Sequence, residues 1–205
     1  MRKVDILVVG AGGHALSCID VIEESGLYRI VGFVGMPEEV GLRYFGYDVI
    51  ASDEDLPNLV GEYSHALVAV GQIKTSAIRR RIYSCLKDLG FSLPTVRSPR
   101  AQISAHAFVN EGTIVMNDAL INAGANVGVN CIINSKALIE HGVVIGDHCH
   151  ISTGSIVNGN TSVGSGTFIG SGSVIKEGVS IGQDCLVGMG LPIRHDILSN
   201  TCYTG

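Results

Sequence analysis

The sequence has no segment typical of a membrane-spanning or secreted protein. No apolar run approaches the roughly 18 residues of a membrane-spanning helix. The amino terminus lacks the layout of a secretory signal. The six cysteines are scattered and include no C-x-x-C pair, which favours a reduced cytosolic setting over a disulfide framework. We therefore expect a cytoplasmic protein without a membrane span.

Basic residues are also too few to form a stripe along the chain. The sequence has 14 Lys and Arg against 19 Asp and Glu, for a net charge of −5, so nucleic acid is not an expected partner. The 205 residues allow one or two domains. Charged residues and helix formers concentrate before residue 95, and Gly, Asn, Ser and β-branched residues after it. With two prolines in the junction Leu93–Pro99, we predict domains at 1–95 and 96–205.

One repeat dominates the second part of the chain. Ile or Val occupies sixteen consecutive positions spaced by six residues, from Ile103 to Ile193. This period fits neither a helix nor an amphipathic strand. A small residue commonly stands two positions before each aliphatic, and Gly or Asn one position after it, where we expect tight corners because both tolerate a positive φ. The pattern predicts a parallel β-helix of roughly five three-sided coils, with the aliphatic side chains inside.

The first part of the chain alternates strand and helix patterns. Strands are predicted at 5–9, 28–34, 47–50 and 65–70, with helices ending near residue 25 and covering 75–89, which indicates a small parallel, Rossmann-like α/β domain. The glycine loop Gly10–Ala15 lies where a phosphate would bind at a helix start. Gly35 and Met36 replace the acidic residue that NAD requires, so a redox cofactor is not expected. The loop fits the phosphate of a nucleotide-linked sugar and a simple tight turn equally well.

Three of the seven histidines lie close together in the repeat, at 141, 148 and 150. His141 follows an inward Ile by two residues and is therefore predicted to project from a corner. His150 lies half a coil further along, so the two would face each other only across a subunit interface. An outward histidine oriented by Glu140 can act as a general base. A zinc site and a histidine without chemical function are the alternatives.

The combined motifs resemble a known bacterial family. They are the Gly-x-Gly-Gly-His loop, Ala69-Val70-Gly71, the Ile-Arg-Arg-Arg-Ile-Tyr segment at 78–83, and the Ile-Glu-His and Val-Ile-Gly-Asp-His-Cys-His-Ile segments of the repeat. Nearly the whole chain is similar to the hexapeptide-repeat sugar O/N-acetyltransferases, the group of sialic acid O-acetyltransferase and the UDP-4-amino-sugar N-acetyltransferase.

This resemblance implies a left-handed β-helix and a homotrimer with acetyl-CoA, as co-substrate and without a metal, in the groove between neighbouring β-helices. It implies that His141 is the general base, with Glu140 beside it. The implied acetyl-CoA contacts are Asn134, His150, Gly159, Gly170 and Ser171. The implied contacts to the sugar substrate are Gly12, Gly13 and His14.

Three positions depart from the family pattern. Gly142 replaces the acid that commonly follows the catalytic histidine, Gly35-Met36 replaces acidic residues after the second strand, and the tail expected near the CoA adenine is missing after Cys202–Gly205. The last departure suggests a truncated or naturally short form.

The function we expect is acetyl transfer from acetyl-CoA to the amine of a UDP-linked amino sugar in bacterial glycan biosynthesis. O-acetylation of a sialic-acid-like sugar is the alternative within the same class. A non-catalytic trimeric scaffold and a metal-dependent lyase are the alternatives from other classes.

Overall fold

The computed structural model describes residues 3–205. Its first part contains β1 (Val4–Val9), α1 (Gly13–Ser25), β2 (Tyr28–Gly35), β3 (Arg43–Tyr44), β4 (Tyr47–Ser52), α2 (Leu56–Leu59), β5 (Ala66–Val68) and α3 (Ala77–Asp88). Short 3-10 turns cover Pro37–Glu39 and Asp53–Asp55. The strands form one sheet in the order β3-β4-β2-β1-β5, in which only the β3–β4 pair is antiparallel. The predicted α/β fold is confirmed.

The rest of the chain is a stack of two-residue strands. They are β6 (Val96–Arg97), β7 (Gln102–Ile103), β8 (Phe108–Val109), β9 (Ile114–Val115), β10 (Leu120–Ile121), β11 (Asn126–Val127), β12 (Ile132–Ile133), β13 (Leu138–Ile139), β14 (Val144–Ile145), β15 (His150–Ile151), β16 (Ile156–Val157), β17 (Ser162–Val163), β18 (Phe168–Ile169), β19 (Val174–Ile175), β20 (Ser180–Ile181), β21 (Leu186–Val187), β22 (Pro192–Ile193) and β23 (Cys202–Tyr203).

These strands form the three faces of a left-handed parallel β-helix, as expected. The first face holds β7, β10, β13, β16, β19 and β22, and the second holds β8, β11, β14, β17 and β20. The third face holds β6, β9, β12, β15, β18, β21 and β23. Consecutive strands pass to consecutive faces, so residues 18 positions apart stack directly, as Ile121 does on Ile139.

The repeated aliphatic residues form the core of the β-helix. Fourteen of the sixteen are at most 3% exposed. Ile103 and Val109 are only partly buried, because they belong to the first coil and have no coil beneath them. The six-residue period therefore arises from inward side chains that stack between coils, as the sequence predicts.

The left-handed residue of each corner is not where we expected it. A positive φ occurs at the third residue after fourteen of the sixteen aliphatics, at consecutive positions spaced by six from Gly112 to Gly190. The glycines directly after the aliphatics are needed for another reason. A Cβ on Gly164 would lie 2.5 Å from the Gln183 backbone nitrogen on the next coil. That position is small because the coils approach closely, and our assignment of positive φ to it was wrong.

The small residues two positions before the aliphatics form hydrogen bonds through their side chains. The Thr113 hydroxyl donates to the Gly128 carbonyl at 2.8 Å, and the Cys149 thiol donates to the Gly164 carbonyl at 3.2 Å. The same bond, to a carbonyl fifteen residues later, recurs at Cys131, Ser155, Thr161, Thr167 and Ser173. These bonds satisfy polar groups inside the stack, and the buried cysteines here are free thiols.

The α/β domain packs on the third face of the β-helix. Ile114 and Ile132, which project outward from that face, share an apolar cluster with residues of β1 and α1. Arg79 is 1% exposed and donates from Nη2 to the carbonyl and side-chain oxygens of Asn130, at 2.9 and 2.8 Å. Burial lowers the pKa of Arg79 to about 10.

Within residues 3–205, no helix is long and apolar enough to cross a membrane.

Candidate functional site

His141 lies at the corner between the first and second faces, two residues after β13. Its side chain is exposed, and its imidazole makes no hydrogen bond to any part of the chain that the structure describes. The Glu140 carboxylate accepts hydrogen bonds from the His141 backbone nitrogen at 3.2 Å and from Asn122 Nδ2 at 2.9 Å. Glu140 therefore holds the backbone of the corner in place, while the imidazole is free to bind another molecule.

Gly159 lies directly against the His141 ring, one coil further along. A Cβ on Gly159 would lie 2.6 Å from Cε1 and 2.7 Å from Nε2 of His141. The Gly159 N–H has no hydrogen-bond partner within residues 3–205. Gly142, which replaces the acid common in the family, has a φ of 65°, and Asp118 and Asp184 adopt the same backbone conformation at equivalent corners.

His150 is held in one tautomer beneath the α/β domain. Its Nδ1 lies 2.7 Å from the Gln72 carbonyl oxygen, so Nδ1 carries the hydrogen and donates it. Nε2 is then the acceptor for Asn134 Nδ2, at 3.1 Å. The His14 ring lies 6.3 Å away, centre to centre. We call His14, Asn134 and His150 the buried histidine group.

Burial keeps both histidines of this group neutral. It is the main cause that lowers the pKa of His150 to about 4 and that of His14 to about 3, and the nearby Arg79 charge contributes to both of these shifts. The Nε2 atom of His14 is buried and has no hydrogen-bond partner among residues 3–205. An unpaired buried polar atom is costly, so its presence suggests that a ligand supplies the missing bond.

Gly170 and Ser171 follow the third face at the same corner as Asn134. Ser171 Oγ lies 2.8 Å from Ser152 Oγ on the coil before it. A Cβ on Gly170 would lie 2.5 Å from the Gly188 carbonyl oxygen, so only glycine fits there. From Asn134 through Ser152 to Gly170, successive coils present small and polar residues at this corner.

The expected site residues therefore form two groups in one chain. His141, Glu140 and Gly159 meet at the corner between the first and second faces. Asn134, His150, Gly170 and Ser171 lie on the third face or at the corner that follows it. These are different sides of the β-helix, so one chain does not assemble the whole expected site.

The glycine loop lines a pocket of about 510 Å³ at the carboxyl ends of β1 and β2. Gly12, Gly13 and His14 are in its wall, as are three residues that we did not predict: Glu39, Asp53 and Arg81. Glu39 Oε2 accepts a hydrogen bond from the Met36 nitrogen at 2.7 Å. The acidic group missing from the end of β2 in the sequence is thus supplied by the 3-10 turn that follows.

Arg79 and Gln72 were also missed as part of this region. Arg79 belongs to the Ile-Arg-Arg-Arg-Ile-Tyr segment, which was the only signal for it. His148 packs against Tyr83, with ring centres 5.4 Å apart, and bonds Asn130 at the domain boundary. In the described part of the chain, no group of three or more His, Cys, Asp or Glu side chains is arranged to hold a metal ion.

A Rossmann-like domain seated on one face of a hexapeptide β-helix defines the class of this protein. Residues 5–86 match the PglD N-terminal domain, and residues 120–158 and 160–194 match the hexapeptide repeat of succinyl-transferase. No curated protein matches the chain.

Two solved structures from one organism match this chain along nearly its full length. PerB from Caulobacter crescentus, in complex with CoA and GDP-perosamine, is 31% identical, with 95% of this chain and 91% of that chain covered and a TM-score of 0.89. A variant of perosamine N-acetyltransferase from the same organism, with the same ligands, is 29% identical over 98% and 93%, with a TM-score of 0.92.

The third match is the acetyltransferase domain of PglB from Neisseria gonorrhoeae FA1090, in complex with acetyl coenzyme A. It is 29% identical, covers 99% of this chain and 97% of that chain, and has a TM-score of 0.90. The chain belongs to the family of hexapeptide-repeat sugar N-acetyltransferases that carry a PglD-type N-terminal domain.

Proposed function

We propose that this protein transfers the acetyl group of acetyl-CoA to the amine of a nucleotide-linked amino sugar. The observation that carries the proposal is the exposed, unbonded imidazole of His141 next to the free N–H of Gly159. An imidazole that is accessible and has no internal partner is suited to accept a proton from an attacking amine. Relatives that bind CoA and GDP-perosamine support this substrate class.

Each residue of the corner has a distinct role in the proposed reaction. Acetyl-CoA supplies the thioester, whose C–S bond breaks as the C–N bond to the sugar forms. His141 takes the amine proton. Glu140 keeps the His141 backbone in position through its 3.2 Å bond, and the free Gly159 N–H is available to negative charge that develops at the reacting centre.

We further propose that the enzyme is a homotrimer whose site is completed between subunits. The outward residues of the first face, Leu120, Leu138, Ile156 and Val174, stack in register as an apolar column, and Val174 is 40% exposed. A second copy against this face would bring the His141 corner of one subunit towards the Asn134 and His150 side of the next. Acetyl-CoA would then lie in the groove, along Gly170 and Ser171.

The acceptor is proposed to be an amine because the matching enzymes act as N-acetyltransferases. O-acetylation of a sialic-acid-like sugar needs the same base and donor, and it remains the second candidate.

The location that we propose is the cytoplasm. All six cysteines are free thiols, which is typical of proteins from a reducing compartment.

Calorimetric titration of acetyl-CoA followed by an assay of thiol release tests this function. We expect acetyl-CoA to bind, and a nucleotide-linked amino sugar to release thiol. If thiol is released only when sialic acids are supplied, the acceptor is a hydroxyl group and not an amine. The absence of acetyl-CoA binding would contradict the enzyme assignment and favour the scaffold.

A further inference from the structure

Resting on the proposed function, we propose that the pocket beside the glycine loop selects a guanosine diphosphate sugar over a uridine diphosphate sugar, with Asp53 as the residue that reads the base. This choice departs from the UDP-linked substrate that the sequence led us to expect.

The topology of the sheet places the pocket's polar groups in the order of a nucleotide. β1, β2 and β4 are parallel neighbours, so the groups that follow them meet at one edge of the sheet. The glycine loop after β1 leads into α1, whose first N–H groups suit a phosphate. Glu39 comes after β2, and Asp53 comes directly after β4, one strand further from the loop.

His14 gives independent evidence that a polar ligand binds here. It lines the pocket, and its buried Nε2 has no hydrogen-bond partner in the part of the chain that the structure describes. Its ring also lies 6.3 Å from that of His150. The end of the pocket at the loop therefore faces the buried histidine group, which suits the sugar and diphosphate, while Glu39 and Asp53 lie towards the nucleoside.

Glu39 is placed to bind the ribose. Its Oε2 is fixed by the Met36 nitrogen, and Oε1 makes no hydrogen bond within residues 3–205. An acidic residue in this part of a dinucleotide-binding fold accepts hydrogen bonds from ribose hydroxyls. This interaction is the same for every ribonucleotide, so Glu39 adds affinity without selecting a base.

Asp53 and Arg81 form the pair that distinguishes bases. Arg81 Nη2 lies 3.8 Å from Asp53 Oδ2. Guanine carries two adjacent N–H donors beside a carbonyl oxygen, so a carboxylate can accept both hydrogens while a guanidinium donates to the oxygen. Uracil offers a single N–H between two carbonyl oxygens, which would repel the carboxylate. A polar site rejects an analogue that leaves its groups unpaired.

Calorimetric titration with GDP and with UDP, at one salt concentration, tests the inference. We expect GDP to bind at least about tenfold more tightly. In Asp53→Asn, GDP affinity should fall about tenfold and UDP affinity should stay within about twofold. Glu54→Gln is the matched control, because Glu54 is exposed and adjacent but does not line this pocket. Thermal unfolding of each variant checks that it is folded.

Equal or tighter binding of UDP would overturn the inference, as would a GDP preference that survives in Asp53→Asn. Failure of both nucleotides to bind would overturn it as well. The proposed function is judged separately, by acetyl-CoA binding and thiol release. If GDP binds preferentially but acetyl-CoA does not bind, the base selection stands and the acetyltransferase assignment falls.

Discussion

His141 and His150 are nine residues apart in sequence but lie in opposite surroundings. His141 projects from a corner with an unbonded ring, whereas His150 is 7% exposed and bonded through both ring nitrogens. Half a coil of a six-residue repeat is enough to move a side chain from an open corner to a covered face. The free ring is suited to accept a proton. The fixed ring, with its proton position set by Gln72, is suited to hold Asn134 and a ligand in place.

Replacing the open histidine should have the largest effect. We expect His141→Ala to lower kcat by about 10² to 10⁴, because the proposed proton acceptor is lost, while acetyl-CoA affinity is retained. Steady-state kinetics and calorimetry measure the two quantities. His106→Ala is the matched control, since His106 is exposed at the same corner, two coils earlier. Near-normal turnover in His141→Ala would remove the distinction between the two histidines.

Acid should destabilise the protein through the covered histidines. Their pKa values of about 4 for His150 and about 3 for His14 lie below the unfolded value of 6.5, so protonation favours the unfolded state. Their contribution is complete above pH 6.5 and is lost as pH falls towards 4 and then 3. For His150 alone this amounts to roughly 3 kcal/mol.

Urea unfolding between pH 7 and pH 4.5 measures this loss. His150→Gln should flatten the dependence of the unfolding free energy on pH, whereas His195→Gln, at an exposed position, should not. An unchanged slope in His150→Gln would show that the covered ring is protonated in the folded protein.

A smaller effect is expected when the open ring is displaced without being removed. Gly159→Ala places a Cβ 2.6 Å from the His141 ring, and we expect kcat to fall at least about tenfold because the ring must move. Gly61→Ala is the control, since a Cβ there meets nothing within 4 Å. Unaltered kinetics in Gly159→Ala would mean that the ring position observed here is not the catalytic one.

The periodic part of the fold, the β-helix, could be predicted from the sequence, whereas the contacts between the two domains could not. The sixteen aliphatics indicated the coil, its stacking and the outward direction of His141, because burial recurs every six residues. The contacts of Arg79 with Asn130 and of Gln72 with Gly166 join residues 51 and 94 positions apart. Such contacts leave no local pattern, so the covering of His150 by the α/β domain could not be predicted.

Glu39 was missed for a related reason. The expected position for an acid was the end of β2, but the 3-10 turn brings back a carboxylate from four residues beyond Gly35. We assigned the positive φ of each corner to the wrong residue because glycine occurs in this repeat for two reasons. It permits a positive φ at one position and allows the coils to pack closely at another. Composition alone does not separate these two reasons.

The central claim is that the open and covered histidines of neighbouring subunits share one site. Co-expression of His141→Ala and His150→Ala chains with two different tags, followed by tandem purification, isolates mixed assemblies of the homotrimer proposed above. In every mixed trimer one of the three interfaces keeps both histidines, so we predict about one third of the unmodified activity from two inactive parents. Mixed trimers no more active than either parent would contradict the account and show that the two histidines do not act together across a subunit interface.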